Sequence, residues 1–218
     1  MKTRCLPIVS LLFTLLLIYP LTIYAQELSP IQLLKPQTEG GRPLMQVLND
    51  RKTSRAFSPE KLALQMLSNL LWAADGINRP DSGRRTAPSA VNWQEIDLYV
   101  VLPEGSYLYD AKNNLLQPVS KGDIRGMTGL QSFVKEAPLN LVYVADFSRM
   151  GKATNEDKEY ASATDTGVIV QNVYLFCASE GLATGVRAMI DRPVLARALQ
   201  LRPDQKIVLA QSVGYPKK

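Results

Sequence analysis

The 218-residue chain contains no histidine. That absence removes histidine-ligated zinc sites and every nucleophile system that relies on an imidazole base. Cysteine is almost as scarce, with Cys5 near the start and Cys177 far from it. Cys5 falls in a targeting segment, so the mature chain keeps Cys177 alone and forms no internal disulfide. Cys177 lies in an apolar helical stretch and reads as a small buried hydrophobe. No G-x-G-x-x-G and no G-x-x-x-x-G-K-[ST] occurs, which closes the Rossmann and P-loop routes to nucleotides. No repeat with a period of about 20 to 50 residues and no low-complexity tract is present.

The first 25 residues stand apart from the rest. Lys2 and Arg4 form a positive start, and Leu11 to Ile18 are apolar except for Thr14. Pro20 breaks the run, and Ala25 supplies a small residue before a cut at Ala25–Gln26. This is the pattern of a secretory signal peptide, and it predicts export, in a bacterium to the periplasm. Ile23 is a poor residue three before the cut, so a retained anchor is the alternative and the one route to a membrane partner. Cleavage removes Lys2 and Arg4, and the net charge of +5 falls to +3. No basic stripe with interleaved aromatics remains, so nucleic acid is not an expected partner.

Residues 26–42 are polar, carry Pro30, Pro36, Gly40 and Gly41, and read as an extended lead-in to one domain over 43–218. Leu44, Val47 and Leu48 predict a helix ending near Asn49-Asp50. Ser58-Pro59-Glu60 predicts an N-cap and first turn for a second helix. Its apolar face would hold Leu62, Met66, Leu67, Leu70, Leu71 and Ala74, with a stop at Gly76. Residues 76–94 read as a long loop. Strands are predicted over 96–102, 107–109, 139–145, 184–189 and 207–213. Short helical pieces are predicted over 121–135, a polar loop over 148–158, a long helix over 159–181 and a short one from Asp191-Arg192-Pro193 to Leu199. Strands and helices do not alternate, which argues an α+β fold with a mainly antiparallel sheet flanked by helices.

Two segments carry candidate chemistry. Arg51-Lys52-Thr53-Ser54-Arg55 packs three cations and two hydroxyls into five residues. Guanidinium forks and hydroxyl donors suit a phosphate, although a solvated charged turn has the same composition. Ala87-Pro88-Ser89-Ala90-Val91-Asn92-Trp93-Gln94 is turn chemistry with amide and hydroxyl side chains.

Together the two segments resemble the N-terminal signatures R-[RH]-[ST]-x-[RK]-x-F and P-S-[SA]-x-N-x-Q of the FMN-dependent nitroreductase family. The resemblance extends through Gly181-Leu182-Ala183-Thr184-Gly185 to a closing Gly214-Tyr215-Pro216. Leu71 to Asn78 and Arg85 to Ala90 look closest to the branch with the dehydrogenases of peptide-heterocycle biosynthesis. The family implies a homodimer built through dimer-forming extensions, with FMN at the interface. By resemblance, Arg51, Lys52 and Thr53 belong to the phosphate and ribityl site, and Arg55 to the cation near N1 and O2 of the ring. Pro88, Ser89, Ala90 and Asn92 match a loop that reaches the flavin of the other subunit. Gln131 occupies the place of an amide that reads the pyrimidine edge, Ala188 and Met189 match the segment over N5, and Lys217 adds phosphate charge. The family often has Glu-Gly where this chain has Ala188-Met189.

The activity this implies is an FMN-dependent oxidoreductase that moves two electrons or a hydride through flavin N5 to or from a small substrate. The flavin carries that chemistry, so no protein acid or base, and no histidine, is required. NAD(P)H is a candidate donor, but it is a cytoplasmic reductant and the leader places this protein outside. A membrane quinol or a small reduced substrate is the alternative donor. Flavin cleavage, reductive dehalogenation and a non-catalytic flavin-binding role are the competing readings, because family membership does not fix function.

Overall fold

The computed structural model describes residues 27–218. The signal-peptide reading of residues 1–25 lies outside the described residues. Among the described residues, no helix is long and apolar enough to cross a membrane.

The helices are α1 (Leu44–Asp50), α2 (Leu64–Asp75), α3 (Asn155–Glu180) and α4 (Arg192–Ala198). The strands are β1 (Ile31–Gln32), β2 (Ile77–Arg79), β3 (Arg84–Arg85), β4 (Ile96–Leu102), β5 (Gly105–Asp110), β6 (Leu115–Lys121), β7 (Leu139–Asp146), β8 (Ala183–Arg187) and β9 (Gln205–Gly214). Seven of them form one sheet in the order β1-β6-β5-β4-β7-β9-β8, and β2 and β3 form a separate hairpin. Every pairing is antiparallel, so the fold is α+β as expected.

Alternation along the central strands builds two layers of core. Leu98, Val100, Leu141 and Tyr143 turn to one face, against Leu70 and Leu71 of α2 and Ile169, Val173 and Cys177 of α3. Tyr99, Val101, Val142 and Val144 turn to the other, against Leu195 and Leu199. Each fully buried aliphatic side chain here contributes about 2 kcal/mol. Burial also raises the Cys177 thiol far above its usual range, in keeping with a packing role.

Several boundaries differ from the sequence expectations. Ser58 is not the N-cap of α2, which begins after Ala63 with no side-chain cap. The reason is long-range pairing. Phe57 bridges Pro216, and the Ser58 N–H donates to the Tyr215 carbonyl. That commitment to the C-terminal tail holds the chain extended. Helix α3 starts before Glu159, because Thr154 caps it by accepting from the Asp157 N–H. The loop over 76–94 contains the β2–β3 hairpin, closed by Gly83 at φ 64°. Strand β6, containing Pro118, was not expected, and β8 ends at Arg187 rather than Met189.

Candidate functional site

Strand β8 is the last strand of the sheet, so one of its edges is free to receive other segments. The cationic loop lies there. After α1 the chain runs extended, and the Ser54 N–H donates to the Thr184 carbonyl at 2.8 Å. Gly185 permits this approach. A Cβ at Gly185 would lie 2.9 Å from the Ser54 carbonyl oxygen and 3.3 Å from Thr53 Cγ2.

Tyr174 of α3 ties the loop from below. Its hydroxyl accepts from the Val186 N–H at 3.1 Å and shares a 2.9 Å hydrogen bond with Thr53 Oγ1. The Arg51 guanidinium stands 5.3 Å from the Tyr174 ring centroid, a cation–π contact. Lys52 and Arg55 are exposed. The Lys217 N–H donates to the Ala56 carbonyl, which brings the C-terminal lysines to the same loop. Among the described residues, none of Arg51, Lys52, Arg55 and Lys217 forms an ion pair. The neighbouring Asp50 is paired with Arg42, so the four cations make a local positive field that favours an anion.

Gln131, Ala188 and Met189 meet at the far end of β8, where the Leu130 N–H donates to the Met189 carbonyl at 3.0 Å. Gln131 Oε1 is buried and has no hydrogen-bond donor among the described residues. Gly129 packs so tightly that a Cβ there would lie 2.4 Å from Arg187 Nε and 2.9 Å from Gln131 Oε1. Arg187 is buried and donates to the Thr128 carbonyl, Thr128 Oγ1, Ser212 Oγ and Asn140 Oδ1. Its acceptors are all neutral, and burial lowers the guanidinium to about 10. Gln211, Thr184, Ser212 and Asn140 extend this network beneath the strand and fix its position.

The 87–94 loop sits elsewhere. The Ala90 N–H donates to Asp165 Oδ2 at 2.8 Å, and Ser89 Oγ accepts from the Gln94 N–H at 2.9 Å. Asp165 precedes Tyr174 by nine residues on α3, about 13 Å along the helix. Within one chain, Pro88, Ser89, Ala90 and Asn92 are therefore not brought to the 51–55 cluster. Val91, Asn92 and Gln94 all have positive φ, at 42°, 60° and 49°. The Gln94 side chain holds this shape by donating to Gly83 and Asn92 and accepting from Arg85.

Acids form the floor beneath the loop. Asp75 is buried and pairs with Arg85 at 2.5 Å. Burial pushes the Asp75 carboxyl up to about 7 against the pull of Arg85. Glu95 is fully buried, and neither carboxyl oxygen has a hydrogen-bond partner among the described residues. Burial, reinforced by Asp165, raises its carboxyl well above the usual range. Sequence reading did not mark Tyr174, Asp165, Glu95 or Arg187. Tyr174 and Asp165 lie on α3, Arg187 on β8 and Glu95 just before β4, and the local pattern at each gives no sign of what it faces.

The model of the Nitroreductase family matches residues 48–215. A protein of Methanocaldococcus jannaschii named as a candidate nitroreductase is 28% identical over 162 residues, covering 69% of this chain and 81% of its own. The crystal structure of a candidate nitroreductase from Ralstonia eutropha JMP134 is 42% identical, with a TM-score of 0.83 over 87% of this chain and 90% of that one. Two more distant structures share the fold. The Escherichia coli microcin synthetase McbBCD complex has a chain that is 19% identical, with a TM-score of 0.67 over 94% of this chain and 85% of that one. A candidate nitroreductase from Desulfovibrio desulfuricans, solved in complex with FMN, is 20% identical, with a TM-score of 0.59 over 82% of this chain and 89% of that one. The family match spans most of the chain and includes both the cationic loop and the 87–94 loop. This protein belongs to the nitroreductase family.

Proposed function

We propose that the protein is an FMN-dependent oxidoreductase acting on a small substrate, working as an exported homodimer. The observation that carries this reading is the convergence of Arg51, Lys52, Arg55 and Lys217, unpaired, on the free edge of β8. The residues fit the cofactor on two counts. The four cations and the Thr53 hydroxyl suit its phosphate. The buried Gln131 Oε1, without a protein donor, suits an N–H on the edge of the ring system. The FMN in the Desulfovibrio structure is in keeping with this.

Bound FMN supplies the two-electron chemistry, and the protein supplies position and charge. Arg51 and Lys52 hold the phosphate end, with Thr53 oriented by Tyr174. Arg55 would provide a cation beside the ring, favouring negative charge there. Ala188 and Met189, the latter tied to Leu130, would border the ring and limit the access of water to it. The separation of the 87–94 loop from the cationic cluster within one chain supports a second subunit that completes the site.

The test is an absorbance spectrum of residues 26–218 with and without added FMN. Flavin bands that copurify or titrate in, and that are lost in Arg51→Ala and Arg55→Ala, support the reading. A folded, colourless protein that FMN does not stabilise overturns it. Sedimentation of the loaded protein as a monomer would overturn the dimer.

A further inference from the structure

The β2–β3 hairpin presents two arginines, Arg79 and Arg84, that the flavin reading does not use, beside the 87–94 loop that it does. In its register Arg79 lies directly opposite Arg84. Like charges at opposed positions destabilise a hairpin, and here they are the cross-strand pair next to the turn. Asp81 in that turn pairs with neither arginine. The Arg79 fork is oriented by Asn78 Oδ1 and by the Arg85 carbonyl, at 3.0 and 2.7 Å. The Arg84 side chain makes neither a hydrogen bond nor an ion pair among the described residues. Both arginines line an open pocket of about 400 Å³ together with Arg85, Pro88, Ser89, Val91 and Asn92, and no Asp or Glu contributes to its wall. Arg85 is already neutralised by Asp75 from beneath. A volume of this size suits one small organic molecule. The far wall is the loop with left-handed Val91 and Asn92, a strained shape of the kind retained where it serves a site.

We infer that this pocket binds the anionic head group, a carboxylate or phosphate, of the enzyme's small-molecule substrate. Arg79 and Arg84 grip the head group, and Pro88 and Val91 supply the apolar wall for its body. Its role as a substrate site rests on the proposed flavin function, since the 88–92 loop borders both. The pocket is distinct from the phosphate cluster, because its loop is anchored at Asp165 and that cluster at Tyr174.

The experiment is calorimetric titration of the FMN-loaded protein with benzoate, phenyl phosphate and neutral benzamide. Either anion should bind about tenfold or more tightly than benzamide, and Arg84→Gln or Arg79→Gln should abolish that preference. The better of the two anions names the head group. Equal binding of benzamide, or an anion preference that survives both substitutions, overturns the inference. FMN affinity is measured in the same variants. A loss of FMN affinity in Arg84→Gln would assign the pocket to the cofactor's own phosphate and also overturn it. Failure of the flavin reading is distinguishable, since a chain that takes up no FMN can still be titrated with the three probes.

Discussion

The loop at 51–57 and the loop at 87–94 are tethered to the same helix, and the two tethers do opposite things with charge. Tyr174 holds the first by a neutral hydroxyl and a ring face, leaving its cations unpaired and accessible. Asp165 holds the second by a buried carboxylate, over a floor that also contains Glu95 and Asp75. Charge kept near solvent is available to a ligand at little cost to stability. Charge taken into the interior costs folding energy, and a strained loop above it raises that cost. Changes near the first loop should therefore lose ligand before they lose fold. Changes near the second should alter stability and its pH dependence.

The largest effect would break the comparison at its foundation. Arg187→Leu removes four hydrogen bonds at once, to the Thr128 carbonyl, Thr128 Oγ1, Ser212 Oγ and Asn140 Oδ1, and only Asn140 Oδ1 keeps another donor, the Ser212 hydroxyl. Stranded buried acceptors cost about 1–3 kcal/mol each before relaxation, so a loss of about 3 kcal/mol is expected in urea unfolding. An unchanged midpoint would show that the support beneath β8 is not what fixes the first loop.

Next comes a change that should separate binding from folding. Gly185→Ala places a methyl 2.9 Å from the backbone oxygen of Ser54, and backbone cannot swing aside as a side chain can. The cationic loop must move outward, and FMN affinity should fall about tenfold or more, while overpacking costs about 1 kcal/mol of stability. Equal losses in both would erase the distinction between the two loops.

Glu95→Gln sharpens the other side. The buried Glu95 carboxyl holds its proton to higher pH than the unfolded chain does, where the value is 4.5. Between the two values the folded state binds more protons, so stability falls as pH rises and levels off once Glu95 ionises in the fold. The amide cannot ionise and so carries no such penalty. The variant should be about 1–2 kcal/mol more stable than wild type at pH 8, with the gain vanishing toward pH 4. A pH profile parallel to that of wild type would show that Glu95 does not set the slope.

The sequence made part of this contrast readable. Periodicity exposes β4, β7 and β9, whose apolar residues are buried as their pattern implies, and it finds α1, although of Leu44, Val47 and Leu48 only Val47 is buried there. Charge density exposes the 51–55 cluster. The β6 strand escaped because it carries Pro118 and is only partly buried. The false start of α2 has a different cause. Ser58-Pro59-Glu60 is sound local capping chemistry, overridden by pairing with Tyr215 at the other end of the chain. Tyr174 and Asp165 escaped because α3 mixes small, polar and apolar residues over its length. Tyr174 finds Thr53 across 121 residues of sequence, a contact no local pattern announces.

The smallest effect tests whether the second loop is strained by its shape alone. Val91 has φ 42° and is 79% exposed, so a β-branched residue holds a left-handed conformation with almost no packing to offset it. Such a conformation costs an L-residue about 1–2 kcal/mol, while glycine in its place gives back part of that through the freedom of the unfolded chain. Val91→Gly should therefore raise stability by no more than about 1 kcal/mol. Little is removed besides an exposed side chain, so a clear loss would mean that Val91 is covered in solution. The surface that covers it would then be a second subunit, and the loss should disappear in protein diluted below its dimerisation constant. A gain in stability with weaker benzoate binding would instead mark Val91 as the pocket's apolar wall, kept at the cost of strain.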